Sequence, residues 1–223
     1  MSATARKVFA AAAPNYGRRN PLLTLERPET EALLPELAGG RVLDLGAGPG
    51  HYARLAAARG ARVAVALDLA PEMAASAPSP SLVADAERLP FRDASFDVVI
   101  AALLVSYVGA RRSFFLEVSR VLGPGGVFIC SDLHPVASQR GWSRSFEGPS
   151  GERLVVRAQP PTAREIEQGL SAAGLRVEEL REPVIDGRLE PEFLRAGRRD
   201  YASLRGTPLL LLFRARKGGP GAG

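Results

Sequence analysis

The chain has 223 residues, 46% of them hydrophobic and 24% charged, enough to bury one sizeable core and marginal for two. Its formal charge is +5, carried by arginine, since Lys7 and Lys217 are the only lysines; the arginines are scattered and nowhere interleaved with aromatics, which argues against a nucleic-acid surface. One cysteine, Cys130, excludes an internal disulfide and a cysteine metal cluster, and His51 and His134 are too few and too far apart for a zinc site.

No segment reads as membrane-spanning. The longest apolar stretch, "VVIAALLVSYV" (98–108), is roughly half of what a span needs. The alanines at 10–13 are soon broken by Pro14 and make no signal peptide. A cytoplasmic location is the expectation.

From residue 41 onward, apolar runs alternate with helical patterns. "RVLDL" (41–45) predicts a buried strand, and "HYARLAAARG" (51–60) a helix stopped by Gly60. "ARVAVALD" (61–68) is the second strand, "PEMAASA" (71–77) a short helix with an early proline, and "SLVAD" (81–85) the third strand. "FDVVIAAL" (96–103) is the fourth, "RRSFFLEVSRVL" (111–122) an amphipathic helix ended by "GPGG", and "VFICSDL" (127–133) the fifth. This alternation implies parallel strands with right-handed crossovers: a doubly wound α/β sheet.

After Pro135 the rhythm changes. "SFEGPSGERLVVRA" (145–158) predicts a hairpin around Gly-Pro-Ser-Gly. "TAREIEQGLSAAG" (162–174) predicts a helix with a Thr162/Glu165 capping box and a stop at Gly174. "LRVEELRE" (175–182) and "PLLLLFRARK" (208–217) are the last strands, and the tail "GGPGAG" (218–223) is expected to be flexible.

Ligands of open parallel sheets bind beyond the carboxyl ends of the strands, and polar residues stand there: Asp44, Asp68, Asp85, Asp132 and His134. "VLDLGAGPG" (42–50) spaces Gly46, Gly48 and Gly50 two apart. A dinucleotide fingerprint would want its third glycine at 51, where His51 stands. No basic residue lies between Arg41 and Arg54 to meet a phosphate, and three acids converge on the same end of the sheet. A cationic, phosphate-free nucleoside suits that field, and S-adenosylmethionine is one. A nicotinamide-dependent oxidoreductase and a noncatalytic S-adenosylmethionine-binding module are the alternatives.

"VLDLGAGPG", "ALDLAPEM", "ADAERLPFRDASFDVVIAALLVSYV" and "RVLGPGGVFICSDLHP" resemble the successive motifs of the class I S-adenosylmethionine-dependent methyltransferases. The resemblance is strongest to the small-molecule branch that includes the ubiquinone/menaquinone and malonyl-carrier enzymes. It covers about 40–135, and "NYGRRNPLLTLERPETEALLPEL" resembles the amino-terminal lid of such enzymes. It implies a Rossmann-like, mostly parallel seven-stranded sheet with an antiparallel final strand. The expected layout is a single domain: a helical lid (1–38), a cofactor-binding half (39–135), and a substrate-side insert with closing strands (136–217).

Carried over, the resemblance implies that Gly46, Ala47 and Gly48 pass under the methionine part and Asp44 orients its ammonium. Asp68 accepts from both ribose hydroxyls with Leu69 on the adenine; Asp85 and the Ala86 backbone meet the adenine edge. Ala101 and Leu103 line the end of the fourth strand, and Tyr16 closes over the cofactor. Ser106 stands where relatives often carry histidine, so that histidine's role does not transfer. His134, after the fifth strand, is the candidate general base; Asp132 and Tyr107 are weaker candidates, and no metal is expected.

Acceptor selectivity is expected from the lid (9–30) and from 134–160, with Trp142, Arg144 and Phe146. The late arginines (Arg188, Arg195, Arg198, Arg199, Arg205) would matter for an anionic or carrier-bound acceptor; a solvated helix surface is the simpler explanation for them. The expected partner is a small-molecule methyl acceptor, with no nucleic acid and no membrane.

Overall fold

The computed structural model describes residues 3–16, 20–78, 80–148, 150–156 and 158–219. Five strands, β1 (Arg41–Leu45), β2 (Val63–Asp68), β3 (Ser81–Val83), β4 (Phe96–Ala102) and β5 (Leu122–Leu133), run parallel in one sheet. With β8 (Leu175–Arg181) and β9 (Leu210–Lys217) the order is β3-β2-β1-β4-β5-β9-β8, and β9 is antiparallel to both neighbours. Strand order reverses between β1 and β4, which places the crevice of a doubly wound sheet beyond Leu45 and Ala102.

The central strands β1, β4 and β5 lack polar alternation because both faces of the sheet are covered there. On one face Val42, Ile100, Ile129 and Leu212 pack with Leu25 of α2 (Pro21–Glu31), Tyr52 of α3 (His51–Ala58) and Phe193. On the other, Leu43, Val99, Phe128 and Phe213 pack with Phe114 and Phe115 of α5 (Arg111–Val121) and with Ile166 and Leu170 of α7 (Ala163–Ala172). Neighbours along each strand thus go to opposite cores, as the pleat requires. The run of leucines in β9 is buried because that strand has a strand on each side and a core on each face.

Before the sheet come α1 (Ala3–Ala12), a 3-10 turn at Ala13–Asn15, and α2, whose N-cap Asn20 accepts from Leu23 N–H at 3.0 Å. After it, α6 (Pro135–Gln139) leads to the hairpin β6 (Arg144–Glu147) and β7 (Arg153–Val156). Phe9 of α1 packs with Tyr107, Val156, Tyr16 and Phe146, so the N-terminal helix and the late hairpin form one wall.

The expected elements differ from the structure in three places. β5 begins at Leu122 and carries "GPGG" as a bulge: Leu122 pairs with Phe96, Val127 with Val98, and Gly125 adopts φ +75°. The stretch after β8 contains α8 (Glu190–Arg195) and α9 (Tyr201–Leu204), each too short to show a helical period in the sequence. The hairpin strands are shorter than expected, and Pro149, Arg157 and tail residues 220–223 lie outside the described residues. Among the described residues no helix is long and apolar enough to cross a membrane.

Candidate active site

The glycine loop turns tightly at the end of β1. Gly46 and Ala47 N–H groups both donate to Leu67 O, at 2.8 and 3.0 Å, and Gly50 N–H to Ala47 O at 2.8 Å. Gly46 and Gly48 are left-handed (φ +70° and +52°), and a Cβ on them would lie 2.8 Å from Leu104 Cδ1 and 3.1 Å from Tyr16 Cε1. These two glycines floor a cleft. Gly50 does something else: at φ +80° its missing Cβ would stand 2.4 Å from Pro78 Cδ, so it packs on α4 (Pro71–Ser76) and its exit while starting α3. No glycine is needed at 51, because His51 is the first residue of α3, 3.6 Å from Glu31.

Asp68 ends β2 and binds the loop it faces. Its oxygens accept from Gly48 N–H and Ala70 N–H, both at 2.9 Å, and burial pushes its carboxyl above the usual range. Asp85, more exposed beyond β3, accepts from Glu87 N–H at 3.0 Å. Both line a cleft of about 610 Å³ with Gly46, Gly48, Leu69, Met73, Ala86 and Leu103, roofed by Phe9, Tyr16, Tyr107 and Arg144.

A second pocket of about 830 Å³ shares Tyr16, Gly46, Ala102 and Leu103 with the first and adds Glu26, Arg27, Asp44, Ala47, His51 and Arg54. Asp44 is buried and accepts from Ala53 N–H at 2.9 Å, ordering the start of α3; burial outweighs that bond and lifts its carboxyl to about 7. Glu26 of α2, also buried, accepts from the hydroxyls of Thr30 (2.7 Å), Tyr52 (2.8 Å) and Ser131 (2.7 Å). Three hydroxyl donors satisfy a carboxylate that burial would otherwise penalise, and they fix α2 to the end of β5. Leu103, at the join of the pockets, has φ +54°, with its N–H on Ser131 O at 2.8 Å. A leucine held there is a strained position of the kind that collects at working sites.

Gly46, Ala47, Gly48, Asp44, Asp68, Leu69, Asp85, Ala86, Leu103 and Tyr16 all come to these two pockets. Ala101 does not: it is fully buried in the core beneath β4, and its neighbour Ala102, on the other side of the pleat, lines the site instead. His134 is also elsewhere. Its Nδ1 accepts from Val136 N–H at 3.1 Å as the N-cap of α6, and its Nε2 faces Glu182 at 3.5 Å, on the β9 side of β5. The expected base is a cap. Asp132 is buried and accepts from Ser106 N–H (2.6 Å), Ser106 Oγ and Leu133 N–H (2.7 Å), which leaves it a structural role.

Residues the sequence did not single out as a site are Glu26, Arg27 and Arg54 around the second pocket. Arg27 and Glu26 sit in α2, a helix of ordinary composition in which only their helical neighbours hinted at a face. Three of the late arginines are paired on the surface: Arg188 with Asp186, Arg195 with Glu192, and Arg198 with Asp200.

Residues 43–130 match the family described as "Methyltransferase domain". The malonyl-[acyl-carrier protein] O-methyltransferase of Enterobacter lignolyticus is 34% identical over 158 residues, 67% of this chain and 62% of that protein. The probable phthiotriol/phenolphthiotriol dimycocerosates methyltransferase 2 of Mycobacterium ulcerans is 34% identical over 185 residues, 78% of this chain and 67% of that protein. The chain thus spans under two thirds of the first of these relatives. A crystal structure of an S-adenosylmethionine-dependent methyltransferase from Mesorhizobium loti superposes with TM-score 0.68 at 26% identity, over 86% of this chain and 97% of that one.

Proposed function

Because the chain belongs to the class I S-adenosylmethionine-dependent methyltransferases, we propose that it transfers a methyl group from S-adenosylmethionine to a small or carrier-bound acceptor. The observation that carries this reading is the pair of pockets joined at Gly46, Tyr16 and Leu103. One pocket has carboxylates placed for a ribose and an adenine; the other has charges of both signs, as an amino-acid end requires. Gly46 and Gly48 line the first pocket at positive φ, where a Cβ would crowd Leu104 and Tyr16 of its own wall.

In this reading Asp68 accepts from the ribose hydroxyls with its remaining lone pairs while still holding the loop through Gly48. Asp85 and the Ala86 backbone meet the adenine edge, and Leu69 and Met73 pack on the ring. Arg27 takes the methionine carboxylate, and Asp44, with Glu26 behind it, supplies the negative field for the ammonium. Bound there, the cofactor supplies a methyl group on a positively charged sulfur. The chain's own part is to hold an acceptor in line with that methyl and keep water out, with Phe9, Tyr16 and Tyr107 as the cover. Positioning of this kind is worth up to ~7–11 kcal/mol of barrier. We assign residues 1–38 to the lid, 39–135 to the cofactor half and 136–217 to the acceptor side, and place the reaction in the cytoplasm.

The relatives' names, one for a malonyl group on a carrier protein and one for phthiotriol dimycocerosates, support a carrier-bound or lipid-like acceptor rather than a nucleic acid. Calorimetric titration tests the reading. S-adenosylhomocysteine should bind and NAD should not, and Asp68→Ala should weaken S-adenosylhomocysteine by roughly 1.5–3 kcal/mol, the scale of hydrogen bonds to a charged group. Binding of NAD with no response to S-adenosylhomocysteine would overturn the assignment; unchanged affinity in the variant would remove Asp68 from the site.

A further inference from the structure

Arg144, at 6% exposure, is the most deeply buried arginine among the described residues. It leaves β6 and enters a box of aromatic rings, its guanidinium carbon 5.4 Å from the Phe9 centroid, 5.8 Å from Tyr16, 5.6 Å from Tyr107 and 5.3 Å from Phe146. Three oxygens face it. Nη2 donates to Tyr16 Oη at 2.5 Å, Nη1 donates to Leu103 O at 3.1 Å, and the Tyr107 hydroxyl is the third partner. Among the described residues it makes no ion pair: Asp132, the acid whose charge it feels, is taken up by Ser106 and Leu133.

A buried cation without a counter-ion is costly, and ring faces offset only part of that. The guanidinium therefore stays inside only while its three oxygens stay on it, and these come from three places in the chain. Tyr16 follows the 3-10 turn at Ala13–Asn15, Leu103 follows β4, and Tyr107 closes a second 3-10 turn (Val105–Tyr107). All three line the first pocket, and Tyr16 and Leu103 line both. Hydrogen bonds to one buried charge are interdependent, so loosening one partner loosens the set.

Two of the partners need such a hold. Leu103 sits at φ +54°, with its N–H on Ser131 O at 2.8 Å and its carbonyl on Arg144; a strained residue persists only where its surroundings over-determine it. The Tyr16 ring stands against the glycine loop, its Cε1 3.1 Å from the place of a Cβ on Gly48, and stacks on Phe146 at 5.2 Å between centroids. The bond from Arg144 to its phenol oxygen keeps the ring there. Arg144 thus fixes the roof of the cleft to its floor, from a hairpin outside the residues 43–130 that match the family.

We propose that Arg144 is a positioning residue for the cofactor: by holding Tyr16 and Tyr107 over Leu103 it sets the gap at the join of the pockets and keeps the bound nucleoside from leaving. The proposal rests on the cofactor assignment above. Arg144 acts here through its three partners. A ligand held between roof and floor leaves when the roof lifts, so a weakened clamp speeds dissociation and does not slow association. Plain loss of folded protein instead lowers the amount of ligand bound and leaves the rates of the surviving molecules unchanged.

The test needs no acceptor. The full chain is immobilised, S-adenosylhomocysteine is passed over it, and surface plasmon resonance reads association and dissociation separately. In Arg144→Gln dissociation should quicken at least ~10-fold, the scale of one hydrogen bond to a charged group, with association no slower. Tyr16→Phe keeps the ring and removes one bond, and should quicken dissociation by at least about threefold. Because Tyr16 and Arg144 act as a unit, the double variant should release the ligand no faster than Arg144→Gln alone. An unchanged dissociation rate in either single variant, or effects that multiply in the double variant, would overturn the proposal while leaving the cofactor reading intact. Should Arg144→Gln not fold, the rate in Tyr16→Phe decides alone. Failure of the unaltered protein to bind S-adenosylhomocysteine would instead remove the reading beneath it.

Discussion

His134 shows how much one side chain's direction matters. Its place after β5 suits a base, but β9 pairs alongside and the ring turns to Val136 N–H and Glu182. His134→Ala should therefore cost about 1 kcal/mol of stability, the usual loss for a helix cap, and leave turnover within about threefold; a melt and an initial-rate comparison check both, and a rate loss of ~10²-fold would return the residue to catalysis. Asp44 carries the opposite lesson. Burial lifts its carboxyl to about 7, whereas an unfolded aspartate titrates near ~3.9. Between those values the folded chain holds the extra proton, so this group's contribution to stability falls as pH rises through the window and is flat above it. A cationic ligand in the adjacent pocket favours the ionised form. S-adenosylmethionine binding should tighten from pH 6 to 8 and release protons near pH 7, seen as a binding enthalpy that varies with the buffer's ionisation enthalpy. Asp44→Asn should abolish that variation.

At the scale of elements, the site depends on helices held hard against the sheet. α7 illustrates the tolerance. A Cβ on Gly169 would lie 2.4 Å from the buried Phe115 ring of α5, so this helix can approach its neighbour only at a residue without a side chain. Glycine inside a helix normally costs ~1 kcal/mol relative to alanine. Gly169→Ala should nonetheless destabilise, by roughly 1–3 kcal/mol, because overpacking at Phe115 exceeds the gain in helix propensity; a raised melting temperature would show that the ring moves aside freely. α2 is held differently, through the Glu26 hydroxyl cluster, and that bond set places Arg27 at the second pocket.

For the whole molecule, the cleft is built from parts far apart in sequence: Phe9 and Tyr16 from the start, the loops after β1, β2, β3 and β4, and Arg144 from the late hairpin. A ligand that bridges them should stabilise the entire fold. At a hundred times its dissociation constant, S-adenosylhomocysteine should add ~2.7 kcal/mol, which for a chain of this size corresponds to roughly 5–11 °C in melting temperature at ~2–4 °C per kcal/mol. NAD at the same concentration should leave the melt unchanged, which separates the nucleoside reading from the dinucleotide one without any acceptor.

The sequence alone determined the sheet and the end of it at which polar residues gather. Parallel buried strands must be apolar, and a chain turning at positive φ close against Leu104 and Tyr16 must be glycine at Gly46 and Gly48, so period and composition record both. Asp68 and Asp85 were legible because each follows a strand at the open end. Only the tertiary structure decided which way the side chains at those ends point: Ala101 into the core and Ala102 to the site, His134 to a cap. It also decided that Arg144, about a hundred residues beyond the glycine loop, meets Tyr16 and Leu103. Such meetings depend on how the N-terminal helices and the hairpin fold over the sheet, which no local pattern encodes.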